Sequence, residues 1–226
     1  EEFQAFGIPK QHRVERFEES IEIIKLLWTG ESVTFSGDHF SLRNAIPTAR
    51  PMQKPYPPIW IAANNDPAVR RAAKLAGTWY ANPHAILSTL ASQMDIYKNT
   101  LATIGSPIPQ DIPVVKAGYV AETTKIAYEE CTPFLKQRYK IYADQGQDKT
   151  LPPGDRFNKS FEELVKDRMI IGDPDLCIEE LKRYEAIGFN YVVMEIQWGD
   201  MRDDLALKCL HLLGTEVIPK LNMSFF

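Results

Sequence analysis

Two asparagines follow a short apolar run, and their types and position suit phosphate binding. Asn64 and Asn65 come after residues 59–63 and precede Asp66-Pro67, which is typical of a helix start. Amide groups beside a helix N-terminus suit a phosphate, because the first N–H groups of a helix have no intrahelical partners. The same pair is compatible with a plain turn. The acidic Asp66 counts against an anion unless it points back and caps the helix.

A second candidate group follows the apolar run at residues 78–81. Asn82 and His84 come next in the chain. Ligands of parallel α/β proteins bind at the C-terminal ends of the strands, which is where these residues are expected to lie. Imidazole changes its charge near neutral pH, so His84 is a candidate catalytic base. The alternative is that His84 only begins a helix or donates to a backbone carbonyl.

The last apolar run, residues 191–196, contains the carboxylate Glu195 near its end, and the indole of Trp198 follows two residues later. Alternation along a strand places Glu195 and Trp198 on opposite faces. Both are candidates for substrate binding. A buried carboxylate is costly unless it is paired, so Glu195 is equally suited to a buried ion pair with Lys116 or Arg168. Trp198 suits either the wall of an aromatic ligand pocket or plain packing.

Hydrophobic periodicity predicts the elements that position these residues. One apolar stripe predicts a first helix, a hairpin follows it, and the proline-rich residues 47–58 are excluded from helix and central strand. Strands and helices then alternate to the end of the chain, with residues 145–160 as a loop. The stripe is Val14, Phe17, Ile21, Ile24 and Trp28; the predicted strands are 59–63, 78–81, 113–120 and 191–196; the helices begin near Asp66, His84, Thr123, Asp173 and Asp203.

Four alternations of strand and helix predict an α/β fold with a parallel sheet. A complete (β/α)8 barrel takes about 250 residues. The four visible units in 226 residues therefore favour half a barrel or a small open sheet, forming a single α/β domain over residues 1–226.

Composition excludes several classes of function. A net charge of −4 with no basic block argues against nucleic acid, and no apolar run reaches the roughly 18 residues that a membrane span needs. The four histidines and three cysteines are too scattered for a metal site or a disulfide framework. We therefore expect no metal and no membrane association. The cysteine usage and the absence of a recognisable signal peptide favour a cytoplasmic location.

Several segments together resemble one family. FGIP at 6–9, LWTGE at 27–31, QKPYPPIWIAA at 53–63 and IGDP at 171–174 occur in the same order as in luciferase-like monooxygenases, with Arg13 between the first two. The resemblance is collinear from about residue 2 to residue 221. It implies the C-terminal half to two-thirds of a TIM-type (β/α)8 barrel, with the N-terminal strands not included.

The resemblance also implies a cofactor and a reaction. Family members use reduced FMN, or the deazaflavin F420 in some branches, and the FMN branch oxidises small organic substrates with O2. A separate flavin reductase and a homo-oligomer are common in the family. The family's phosphate loop aligns with Ala63, Asn64 and Asn65. The same alignment implies that Asn82 and His84 lie on the next loop and face the same pocket, and that Arg13 lies near the flavin. A shortened member could instead bind flavin, or serve as an interaction protein, without turnover.

Overall fold

The computed structural model describes residues 2–221, and the chain divides into two compact units, Glu1–Ile59 and Trp60–Phe226. The parallel sheet lies wholly within the second unit. A single α/β domain over residues 1–226 therefore stays a prediction. No helix among the described residues is long and apolar enough to cross a membrane.

The first unit contains two helices, α1 (Glu2–Ala5) and α2 (Arg13–Thr29), and an antiparallel hairpin of β1 (Val33–Ser36) and β2 (Ser41–Ala45). The Glu19 carboxylate accepts the backbone N–H groups of Asp38, His39 and Phe40 at 2.9–3.1 Å, which ties the hairpin turn to α2. The predicted helix and hairpin are confirmed, and residues 47–58 form no helix or strand.

The second unit alternates strands and helices around five parallel strands. β3 pairs with β4, β4 with β5, and β5 also pairs with both β6 and β7. All eight residues of β5 are buried, so this strand is the centre of the unit. The elements are β3 (Trp60–Ala63), α3 (Asp66–Leu75), β4 (Thr78–Ala81), α4 (Leu87–Thr103), β5 (Pro113–Val120), α5 (Thr124–Asp144), α6 (Phe161–Val165), β6 (Ile170–Gly172), α7 (Pro174–Ile187), β7 (Tyr191–Glu195) and α8 (Asp203–Leu212).

The α/β fold with a parallel sheet is confirmed, but one strand, β6, and two helices, α1 and α6, were not predicted. β6 has only three residues, which is too short for a periodic signal. α6 is a five-residue helix directly after the predicted loop, with a Ser160–Glu163 capping box. The loop itself contains two 3₁₀ turns, at Gln147–Thr150 and Pro153–Asp155.

The helix starts follow the local sequence, with one correction. Asp173 caps α7 as predicted, and Gly188 ends it with a φ of 112°, a left-handed conformation that favours glycine. In α3 the cap is Asn65 and not Asp66, which is already the first helical residue. Either residue type can cap, so the sequence alone did not distinguish them.

Two of the three cysteines, Cys177 and Cys209, lie at the end of β5. The backbone N–H of Val120 donates to Cys209 Sγ at 3.2 Å, and Cys177 Sγ lies 4.0 Å from the Tyr119 carbonyl oxygen. Burial raises the pKa of Cys131 and Cys177 to about 12 and that of Cys209 to about 11. These thiols are therefore protonated near neutral pH and pack as small apolar groups.

Candidate functional site

The C-terminal ends of β3 and β4 bring four of the predicted cofactor residues together. Ala63 is in register with Ala81, and its carbonyl oxygen accepts hydrogen bonds from Trp79 Nε1 at 3.1 Å and from Asn82 Nδ2 at 3.4 Å. Asn64 is the residue after Ala63 and accepts a hydrogen bond from Asn65 Nδ2 at 3.2 Å. The amides predicted from two separate loops thus meet at one edge of the sheet.

Some of the N–H groups at the N-terminus of α3 are already hydrogen-bonded within the chain. Asn65 Oδ1 accepts the N–H of Ala68 at 3.1 Å, and Pro67 has no N–H. The Asp66 N–H is the donor that the cap does not use. Phosphate binding at this edge would therefore depend on side-chain amides more than on the helix backbone.

His84 lies among aromatic side chains of α5 and of the segment that follows it. Its ring contacts Tyr139, Tyr142 and Phe157 at centroid distances of 5.0–5.9 Å, each edge-on, and Nδ1 is buried without a partner in the described structure. Burial, followed by the charge of Lys116, lowers the pKa of His84 to about 4. The imidazole is therefore neutral near pH 7, and it can accept a proton only as a weak base.

Glu195 has a different partner from either of the predicted ones. Both of its carboxylate oxygens accept hydrogen bonds from Arg138 Nη2, at 3.1 and 3.2 Å. Lys116 is in register with Met194, the neighbour of Glu195, so Lys116 and Glu195 point to opposite faces of the sheet. Arg168 instead bonds to backbone carbonyls. Arg138, on α5, was not identified from the sequence.

Three aromatic side chains share the face of Glu195, and we call Trp60, Tyr80 and Tyr191 the aromatic surface. Trp60 stacks on Tyr80 at 5.8 Å with an interplanar angle of 26°, and it meets Tyr191 edge-on at 5.2 Å. Trp60 and Tyr80 are half-buried and Tyr191 is 45% exposed. Burial and the Glu195 charge raise the pKa of Tyr80. This surface suits a flat ring. Its two tyrosines, Tyr80 and Tyr191, were not identified from the sequence.

The remaining two predicted residues lie one in each unit. Trp198 is 1% exposed and its indole Nε1 has no partner in the described structure, so the ring packs inside the second unit. Arg13 is an exposed residue at the start of α2 in the first unit. The roles assigned to the site residues stay predictions.

A cavity of about 280 Å³ lies between α5 and residues 157–164. Tyr139 and Phe157, which also contact His84, form part of its wall, and three lysines lie around it. Lys140 pairs with Asp144 and Lys159 donates to the Gly154 carbonyl, so two of these ammonium groups already have partners.

Within residues 2–221 no group of three or more His, Cys, Asp or Glu side chains is arranged to hold a metal ion. The expectation that the protein needs no structural metal stays a prediction.

Comparison with known proteins identifies the family. The family model for luciferase-like monooxygenase matches residues 1–191, and the chain belongs to this family. An F420-dependent glucose-6-phosphate dehydrogenase of Microbacterium testaceum is 27% identical, over 94% of this chain and 62% of that protein. The chain thus spans less than two-thirds of the length of this curated relative.

Two solved structures share the fold. Monooxygenase RslO1 from Streptomyces bottropensis has a TM-score of 0.81 and 19% identity, over 96% of this chain and 64% of that one. The oxygenating constituent of 3,6-diketocamphane monooxygenase from Pseudomonas putida, in complex with FMN, has a TM-score of 0.76 and 19% identity, over 98% and 68%. Both structures support the TIM-type architecture implied by the resemblance.

The environment of His84 predicts a pH-dependent stability. The pKa of His84 is about 4 in the folded chain and about 6.5 when it is unfolded, so between these values the unfolded chain binds more protons. The stabilisation is therefore complete above pH 6.5 and is lost as the pH falls towards 4. In urea titrations at pH 7 and pH 5, His84→Gln should lose about 2 kcal/mol less than the wild type.

The exposed His211 provides the control for this experiment. His211→Gln should lose as much stability as the wild type between pH 7 and pH 5. An equal loss in His84→Gln and the wild type would show that His84 is not buried in its neutral form.

Proposed function

We propose that this chain contributes the cofactor edge of a flavin-dependent monooxygenase, which oxidises a small organic substrate with reduced FMN and O2. The observation that carries the proposal is the meeting of Ala63, Asn64, Asn65 and Asn82 at the ends of two adjacent parallel strands. Parallel α/β sheets bind phosphate-bearing ligands at this edge.

At this edge the Asn64 and Asn82 amides and the Asp66 N–H are neutral donors suited to a phosphate. The aromatic surface lies on one face of the same sheet, with Trp60 and Tyr191 at the first positions of β3 and β7, and it suits a flat tricyclic ring. When bound, reduced FMN would supply two electrons to O2, so that one oxygen atom can enter the substrate and the other can leave as water.

The chain's own side chains would then set the environment of the reaction. Arg138 holds Glu195 on the face of the aromatic surface, where the carboxylate can also accept a hydrogen bond from the substrate. The neutral imidazole of His84 can accept a proton without first having to lose one. Tyr139 and Phe157 pack against the imidazole and shield part of it from water.

A second candidate is hydride transfer with F420. It is favoured by the relatives whose names contain F420-dependent glucose-6-phosphate dehydrogenase. Both candidates use a flat ring and a phosphate, so the same edge would serve either cofactor. A third candidate is flavin binding without turnover.

Anaerobic titration separates these candidates. Saturable binding of reduced FMN, followed by oxygen-dependent oxidation of a substrate, supports the monooxygenase. Saturable binding of F420 with no response to O2 supports hydride transfer. Binding of reduced FMN with only unproductive reoxidation supports a binding protein, and binding of neither cofactor contradicts the proposal.

The proposal includes partners and a location. We expect a separate flavin reductase to supply reduced FMN in the cytoplasm, and a small molecule as substrate. Because Ala62 is exposed and the aromatic surface is only half-buried, we also expect the chain to associate with itself. Light scattering on the 226-residue chain should give at least the mass of a dimer; a monomer of 25.8 kDa at micromolar concentration would contradict this.

A further inference from the structure

Residues 82–86, which we call the His84 loop, are held by side chains at almost every backbone position. Asn82 Oδ1 accepts the N–H groups of His84 and Ala85, at 2.8 and 3.1 Å. Asp155 Oδ1 accepts the N–H of Ile86 at 3.0 Å. These three N–H groups donate to side-chain oxygens because residues 82–86 form no regular helix or strand.

Three consecutive carbonyl groups of the same loop are bound by two cations. Lys116 Nζ donates to the carbonyl oxygens of Ala85 at 2.7 Å and Pro83 at 3.4 Å. Arg168 Nε donates to the carbonyl oxygen of His84 at 2.7 Å. Lys116 comes from the central strand β5 and Arg168 lies two residues before β6, so two separate segments of the second unit fix one loop.

Both cations are completely buried, and burying a charge only to fill space would destabilise the folded chain. Lys116, Arg168 and Asp155 are each 0% exposed. A buried charge costs several kcal/mol unless it is paired and hydrogen-bonded. Arg168 satisfies its other nitrogens on the carbonyls of Leu164 and Asp155, at 3.2 and 2.8 Å. The three buried groups together carry one excess positive charge when Lys116 is protonated, and His84 lies beside them.

We propose that Lys116 and Arg168 are positioning residues, which hold the His84 loop by three consecutive carbonyl oxygens and so fix the His84 imidazole against Tyr139 and Phe157, with both cations beside it. The inference rests on the proposed function only for its consequence in catalysis. The groups that face or surround His84 are Lys116 on β5, Arg168 before β6, Arg138, Tyr139 and Tyr142 on α5, Gln147 in the 3₁₀ turn after α5, and Asp155 between α5 and α6.

The direct test follows the His84 imidazole by NMR in the cofactor-free chain, with the resonance assigned by its absence in His84→Gln. Lys116→Met removes the ammonium group and keeps a long unbranched side chain. The pKa of His84 should rise from about 4 by about half a pH unit or more, because the like charge that acts on it most strongly is lost. Lys116→Arg keeps the charge and should keep the pKa low.

A matched control and a second measurement make the test decisive. Lys182→Met changes an exposed lysine of α7 and should leave His84 unaffected. In the wild type, the His84 resonance should show a second inflection near pH 7, where Lys116 loses its proton. This second reading does not require a Lys116 variant to fold. An unchanged pKa of His84 in folded Lys116→Met, or a wild-type titration with one inflection near 6.5, would overturn the inference. Because no flavin is present, neither result depends on the proposed function.

Discussion

Replacing Trp79 by alanine should lower the free energy of unfolding by about 4 kcal/mol. The side chain is 0% exposed and packs against Tyr97 and Phe189, at centroid distances of 5.8 and 5.6 Å. Alanine would leave a cavity there and remove the indole donor from the Ala63 carbonyl oxygen. Chemical denaturation of the 226-residue chain measures the effect.

Two companion variants identify the source of this loss. Trp79→Phe keeps most of the ring and should cost less than Trp79→Ala, with about 1 kcal/mol from the lost hydrogen bond. Leu207→Ala changes a residue that is 64% exposed and should fall within about 0.5 kcal/mol of the wild type. Equal effects of Trp79→Ala and Leu207→Ala would mean that Trp79 is not part of the core.

Changing both asparagines at the end of β3 should weaken FMN binding at least tenfold, about 1.4 kcal/mol. The double variant is Asn64→Leu with Asn65→Asp. Leucine removes an amide, whereas aspartate can still cap α3 and places a negative charge near the phosphate. Loss of affinity would therefore come from the site and not from an unfolded helix.

The control for the double variant is an asparagine of α4. Asn99→Asp adds the same charge at an exposed position and should leave the affinity for FMN unchanged. Circular dichroism should show the same helix content in all three proteins. Unchanged FMN affinity in the double variant would refute the assignment of Asn64 and Asn65 to the phosphate.

Local sequence signals predicted most of the elements in the second unit. The boundaries of β4 and β5 match the predicted strands. β4 is a short, mostly apolar run between Gly77 and Asn82, and β5 is a mostly apolar run that begins at Pro113. β6 was missed because three residues leave no periodic pattern and its partner, the end of β5, lies about fifty residues earlier.

The candidate site was predictable only where it follows a strand directly. Ala63, Asn64 and Asn82 were found because strand ends are identifiable in a sequence. The Arg138–Glu195 pair joins α5 to β7 across 57 residues, and it depends on the path of α5 over the sheet, which no local pattern encodes. The rings of Tyr142 and Phe157 around His84 depend on the same path.

The measurement that tests the central claim most directly compares FMN with riboflavin, which lacks the phosphate. Anaerobic titration of the 226-residue chain with each reduced flavin gives the two dissociation constants. The account predicts that the wild type binds FMN at least tenfold more tightly than riboflavin, about 1.4 kcal/mol, and that the Asn64→Leu, Asn65→Asp variant loses this preference. Equal affinities of the wild type for the two flavins, or a preference for FMN that persists in the variant, would contradict a phosphate site at the ends of β3 and β4.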